Sequence, residues 1–395
     1  MNSLRNLVDK IKPTFEKGGK LAFLHSTFDA FETFLFVPNT VTKKGAHVRD
    51  CVDIKRVMII MVMALIPAFL FGIWNTGYQH ALAFGLDWGF WDIIWYGLIK
   101  IVPLFLVTYI VGLGIEFISA QLRGHEVNEG YLVTGFILPL IVPVDIPLWM
   151  LAVATAFAVI IGKEVFGGTG MNIWNPALIA RAFLFFSYPS SMSGDYAWIG
   201  GLQKAANGGI PWNSGNGAIV DGFSGATPLA TPSMEALSQK GYDLWNLIIG
   251  TVPGSVGETS VIAILLGAIL LIATGVASWK IMLSSVAGGL FVGYLGFIGG
   301  ATDLPCWYHL ILGGFLFGTV FMATDPVTSC QTECGKWIYG FLTGAICVVV
   351  RLFNPGYAEG MMLAILLMNT FAPLIDHLVI ESSIKRNNKK KVKIA

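Results

Sequence analysis

The sequence predicts an all-α, polytopic membrane protein of about ten transmembrane helices, and three observations carry that prediction. Apolar residues make up 55% of the 395-residue chain and charged residues only 12%, against roughly 25% charged in an average soluble domain. The apolar residues gather in runs of bilayer length, so lipid is the solvent for much of the surface. Lys and Arg are shared very unequally between alternate connections, which is the mark of membrane orientation.

Residues 1–56 are charged and mixed, with no signal peptide, and form a cytoplasmic N-terminal segment. Within it Phe28, Phe31 and Leu35 fall at helical spacing in FLHSTFDAFETFLF, which suits a helix lying on the membrane surface or packed on a partner protein. The first membrane half, 57–188, holds runs at 57–75, 92–118, 131–144, 146–163 and 174–188. The third and fifth are short or interrupted by proline and read as half or tilted spans. Residues 189–257 form one long polar loop. The second half, 258–380, holds runs at 258–278, 280–299, 307–323, 336–352 and 358–379, and 381–395 is a basic tail.

With the N-terminus inside, twenty of the 25 Lys and Arg lie on the cytoplasmic side. Lys204, Lys240 and Arg351 lie outside, while Lys100 and Arg181 fall within spans. Both termini are therefore expected in the cytoplasm and the long loop in the periplasm of a bacterium. Five spans on each side of that loop place the two halves in opposite orientations, the plan of inverted-repeat transporters with broken helices. Internal similarity is weak and confined to residues 149–169 and 307–327. Trp74, Tyr78, Trp88, Trp91, Trp95 and Tyr96, around the first outer connection, are expected as an interfacial aromatic belt.

Several functions are disfavoured. A net charge of +1 gives no reason to expect nucleic acid as a partner. Five cysteines are too few for a disulfide scaffold. Cys330 and Cys334, one helical turn apart, have no second pair with which to hold zinc or an iron–sulfur cluster. His309 and His377 read as core or interface residues. No GxGxxG opens a helix after a strand, so NADH is expected to bind elsewhere in an assembly.

The long loop carries DGFSGATPLATP, residues 221–232. Gly222 and Gly225 free the backbone, and Pro228 biases Thr227 away from helix, presenting a hydroxyl that a modifying enzyme can reach. An ordinary turn is the plainer reading of four residues. Yet DGFSGAT resembles the flavin-attachment motif of the B subunits of the bacterial sodium-translocating NADH:quinone oxidoreductases. That family's other stretches are present too: RGHEVNEGYLVTG (123–135), GKEVFGGTGMNIWNPALIARAFLFF (162–186), PGSVGETS (253–260), MATDPVT (322–328) and MNTFAPLIDH (368–377). The D subunit of the related ferredoxin:NAD oxidoreductase shares the loop and the ten-span plan. The long N-terminal segment favours the quinone-linked family. A plain channel or transporter of the inverted-repeat type, with the loop unmodified, is the alternative of another class.

The resemblance implies an oxidoreductase component of a six-subunit sodium-exporting complex in the bacterial inner membrane, passing electrons to quinone. It implies FMN esterified through its phosphate to Thr227 by a flavin transferase, with Asp221 recognised by that enzyme. Ser224 and the amides about Gly225 are placed to hydrogen-bond the phosphate. Thr231 lacks the preceding SGA. Asn172 and Asn175 stand three apart at a proline-containing helix start, where capping is the plainer role. In similar proteins such a pair contacts a second flavin, noncovalent riboflavin. Arg181 costs about 2.5 to 3.5 kcal/mol or more if it faces lipid, so it should face the interior and pair with an acid or a flavin oxygen. Glu116, Glu164, Asp325, Glu359 and Asp376 are acids in or near spans. Thr324, Asp325 and Thr328 offer hard oxygens to sodium, and Glu116 and Asp376 match acids that the family uses in sodium handling. Structural ion pairing is the plainer role for each. Gly112 and Gly114 let a flat ring near the backbone, as quinone does in similar proteins, or simply let helices pack closely.

Overall fold

The computed structural model describes residues 2–15, 54–123, 130–215, 217–230, 233–354 and 359–394, with residues 28, 32, 45 and 356. Among these residues there is no β-strand. The main helices are α1 (Asn2–Phe15), α2 (Ile54–Phe84), α3 (Phe90–Arg123), α4 (Tyr131–Ile141), α5 (Leu148–Gly162), α6 (Pro176–Ser187), α7 (Val261–Ala273), α8 (Trp279–Ile298), α9 (Glu333–Phe353) and α10 (Met361–Ile394). Between α8 and α9, residues 308–322 form a broken segment of two short helical pieces and a π-turn.

Among the described residues six helices are long and apolar enough to cross a membrane, and α4, α6 and α7 are shorter apolar helices. With the broken segment these make the ten membrane elements expected from the sequence. At 13 residues α7 rises only about 20 Å, well short of the roughly 30 Å hydrocarbon core. The remaining depth is filled by non-helical chain, which is tolerated in a membrane only where protein surrounds it. Here the Gly257 amide donates to the carbonyl of Leu140 at 2.8 Å, tying the approach to α7 to the end of α4.

Several pairings recur in both halves. Helix α3 packs on α5 as α8 packs on α9, α5 on α6 as α9 on α10, and α4 on α6 as the broken segment on α10. By these pairings the broken segment is the counterpart of α4. The weak similarity between 149–169 and 307–327 therefore pairs elements that are not equivalents.

Two helices outrun the expected spans. Polar NTGYQH marks an end for the run at 57–75, yet α2 continues to Phe84. Those polar residues face protein: Asn75 donates to the Val252 carbonyl at 3.1 Å, and the His80 ring shares a 2.6 Å hydrogen bond with the carbonyl of Gly200. The expected boundary at 380/381 falls inside α10, whose helix carries most of the basic tail. Near the N-terminus Phe15 of α1 stacks on Phe28 at 4.7 Å and Lys12 pairs with Glu32 at 2.9 Å. Phe31 and Leu35, which define the expected surface helix, lie outside the described residues.

The aromatic belt divides. Trp91 and Trp95 are exposed as expected. Tyr96 is instead buried, stacked on His80 at 4.0 Å and on Trp212 at 5.8 Å, and Trp88 lies 5.3 Å from His80. These rings join α2 and α3 to the long loop, so they serve its docking and not the lipid interface.

Candidate functional site

The stretch carrying Thr227 is clamped at two points. Gly225 is packed so tightly against the carbonyl of Asp195 and the side chain of Leu202 that a Cβ there would overlap both. Two residues beyond Thr227, buried Leu229 joins Leu237, Leu247, Val252, Leu304 and Leu312 in a small apolar cluster. Gly313, at a φ of +61°, leaves the room that Leu229 occupies, since a Cβ on it would sit 2.7 Å from Leu229 Cδ2. Ala226 and Pro228 are buried and Thr227 is half-buried. The freely exposed threonine expected from the glycines is thus a docked one. Ser224 Oγ accepts a hydrogen bond from the Ala226 amide at 3.4 Å, and Asp221 is exposed at a turn. Thr231 lies outside the described residues.

Thr227 lines a cavity of about 230 Å³, whose wall includes Trp198, Phe185, Leu247 and Leu312. Arg181, Ser255, Glu258 and Glu359 also line it. Arg181 comes from the middle of α6, Glu258 from the non-helical approach to α7, and Glu359 from the connection before α10. The guanidinium bridges the two acids, Nη1 to Glu258 at 2.6 Å and Nη2 to Glu359 at 2.5 Å. Ser255 Oγ donates to the other oxygen of Glu258 at 2.5 Å. A second buried cation, Arg351, holds the same corner through backbone, donating to the carbonyls of Glu359 (3.1 Å), His309 (2.5 Å) and Leu312 (3.0 Å). Two cations and two acids in one buried site satisfy the requirement that charges out of water be paired and hydrogen-bonded.

Asn172 and Asn175 line a different cavity with Lys163, Thr169, Asp325 and Val327. Asn175 caps α6, its Oδ1 accepting from the Ala177 amide at 3.0 Å, and Asn172 Nδ2 donates to the Trp174 carbonyl at 3.0 Å. Arg181, grouped with this pair on sequence spacing, belongs to the Thr227 cavity instead. Six residues carry it about 9 Å up α6 from Asn175.

The candidate sodium acids each hold different partners. Glu116 pairs with Lys163, both 4% exposed, where α3 meets the end of α5. Asp325 accepts from the Val327 amide at 3.2 Å and from Thr328 Oγ1 at 2.9 Å, while Thr324 Oγ1 turns away to the Val320 carbonyl. Asp376 holds the start of α9, accepting from the amides of Gln331 (2.7 Å) and Thr332 (3.0 Å). Glu164 accepts from Ser119 at 2.5 Å. No group of three or more His, Cys, Asp or Glu able to hold a metal occurs among the described residues. The two glycines also separate: Gly112 is filled by the ring of Tyr131, whereas Gly114 borders open space. Cys330 is buried and donates to the Ala372 carbonyl, Cys334 is exposed, and neither is bridged.

Sequence reasoning passes over His80, Ser255 and Glu258. The signal is available for Glu258: a buried arginine demands acids, and PGSVGETS places one at the start of the run 258–278.

A match to the NQR2, RnfD, RnfE family covers residues 41–385. The chain belongs to that family. Among relatives, a protein of Ectopseudomonas mendocina is 44% identical, covering 97% of this chain and 98% of its own. One of Chromohalobacter salexigens is 42% identical over 98% and 96%, and one of Stutzerimonas stutzeri 42% over 97% and 98%. All three are named as the B subunit of a Na(+)-translocating NADH-quinone reductase. As a member of the family the chain is a multi-pass membrane protein, and its ten membrane elements accord with that.

Proposed function

We propose that this chain is the B subunit of a sodium-translocating NADH:quinone oxidoreductase in a bacterial inner membrane, carrying FMN on Thr227. The names of its relatives support the assignment to that complex. The family description spans components of the ferredoxin-linked enzyme as well. Coverage of 97% of the chain by a B-subunit relative, reaching beyond the 41–385 family match into the N-terminal segment, favours the quinone-linked assembly.

One observation carries the flavin reading: Thr227 lines a cavity with apolar and aromatic walls and a buried guanidinium. A phosphoester at Thr227 would be held at the rim, the walls would take a flat apolar ring, and Arg181 would meet its polar edge. When bound, FMN supplies one-electron chemistry that side chains lack. The chain's own part is to dock the loop through Gly225 and Leu229, exclude water from the cavity and set the charge around it. A transferase acting on Thr227 then needs the loop before it docks, or undocked.

The second cavity is smaller, about 50 Å³. Asn172 and Asn175 line it and would hold the polar edge of a noncovalent riboflavin. Sodium handling is assigned to the two ends of this region: Asp325 faces the cavity beside Asn172 and Asn175, and Glu116 touches it through Lys163. Asp376 anchors the nearby start of α9. For quinone, Gly114 is the more available of the two glycines, because Tyr131 covers Gly112. Termini in the cytoplasm and the Thr227 loop in the periplasm follow from the charge bias.

Intact-mass measurement and in-gel fluorescence on the denatured chain, expressed with the flavin transferase, test this reading. Wild type is expected to carry the mass of one FMN less water and to fluoresce, and Thr227→Ala to lose both. An unmodified wild-type chain, with the transferase active on a control substrate, would sink the flavin reading and favour a transporter with a docked outer loop.

A further inference from the structure

The Thr227 cavity has a charged floor assembled from both halves of the protein. Arg181 belongs to the first half, and Glu258 and Glu359 to the second. A guanidinium only 4% exposed is held on both nitrogens by carboxylates, and Ser255 fixes one carboxylate from behind. A network of this kind costs desolvation energy and is weak evidence for a purely stabilising role. Its position, lining the same cavity as Thr227, suggests another use. Buried charges act over longer range than exposed ones because water does not screen them.

We infer that Arg181, poised between Glu258 and Glu359, sets the reduction potential of the flavin on Thr227 by compensating the charge that reduction adds. The inference rests on the Thr227 reading. Balance is simple: one electron arrives from the NADH-reduced part of the complex, the ring becomes more negative by one unit, and no bond of this chain forms or breaks. The cation favours the reduced ring, while the two acids oppose it and hold the guanidinium in place. Removing the cation therefore lowers the potential, and neutralising an acid raises it. A network that only braces the fold has no reason to shift the potential in opposite directions.

The test is potentiometric titration of the assembled complex as wild type, Arg181→Gln, Arg181→Lys and Glu258→Gln, with intact mass of this chain measured on each. The wave lost in a Thr227→Ala complex identifies the flavin in question. Arg181→Gln is expected to make that wave at least tenfold harder to reduce, about 59 mV for a one-electron couple. Glu258→Gln should shift it the other way, and Arg181→Lys should retain most of the wild-type position. If Arg181→Gln fails to assemble, the upward shift in Glu258→Gln carries the test by itself. Flavin present by mass in every variant with the wave unmoved overturns the inference and leaves the attachment reading intact. Absence of flavin mass from the wild type overturns the attachment reading and this inference with it.

Discussion

Lys163→Met is expected to destabilise the protein by about 3 to 5 kcal/mol, the range for removing one partner of a buried ion pair. Lys163 and Glu116 are each 4% exposed and pair directly, with the ammonium also 5.9 Å from the ring centre of Tyr131. Glu116 Oε2 has no hydrogen-bond partner among the described residues, so Lys163 is the group that compensates this carboxylate. Methionine fills similar volume but leaves a charge in an apolar setting, or forces Glu116 to take up a proton. The double variant Glu116→Gln/Lys163→Met removes both charges and should recover much of the loss. Thermal unfolding of wild type, Glu116→Gln, Lys163→Met and the double variant in one detergent completes the cycle. Independent sites would add to within about 0.5 kcal/mol, whereas this pair should depart from additivity well beyond that. A Lys163→Met protein as stable as wild type would show that the pair contributes nothing. Sodium-dependent activity in the same four proteins then separates a pair that braces α3 against α5 from one that meets the ion.

Much of this architecture can be read from the residues because its signals are local. Hydropathy locates all ten membrane elements, and proline and run length mark α4 and α6 as short, but the shortness of α7 and the break at 308–322 are not visible in their runs. The departures come from contacts between residues distant in sequence. Polar NTGYQH looks like the end of a span because nothing nearby indicates that Val252 and Gly200 will receive its side chains. Thr227 is legible from its motif, but its docking is not. Gly225 meets residues 195–202 and Leu229 meets Gly313, and neither contact leaves a periodic trace. Arg181 is recognisable as an interior residue needing an acid, yet sequence spacing groups it with Asn172 and Asn175, whose cavity it does not line. Nearness to Asn175 along the chain conceals the rise of the helix between them. The partners of Glu116, Asp325 and Asp376 are equally invisible, because a carboxylate's partners are chosen by tertiary structure.

The second large effect is expected where α8 and α9 meet, the most extensive helix contact among the described residues. Membrane helices gain nothing from hiding apolar side chains from one another, so close association depends on small residues that let backbones touch. Gly288 on α8 and Gly340 and Gly344 on α9 are such residues. A Cβ on Gly344 would overlap the Ser285 carbonyl and lie 3.0 Å from the Gly289 amide nitrogen, and one on Gly288 would overlap the Phe341 carbonyl. These obstacles are backbone atoms, so relief requires moving a whole helix and not one rotamer. Gly344→Leu should therefore cost at least about 3 kcal/mol, the upper part of the range for overpacking, with Gly344→Ala already destabilising. Gly114 provides the control on α3, since a Cβ there meets no atom within 4 Å. Gly114→Ala should leave unfolding temperature unchanged or raise it slightly, as alanine favours helix over glycine by about 0.8 to 1.0 kcal/mol. Gly112→Ala, two residues earlier, would drive into the Tyr131 ring and should destabilise. Unfolding temperatures that rank Gly114→Ala highest, then Gly344→Ala, then Gly344→Leu would tie stability to backbone approach. Equal effects at Gly114 and Gly344 would mean that glycine content, not contact, is what the bundle responds to.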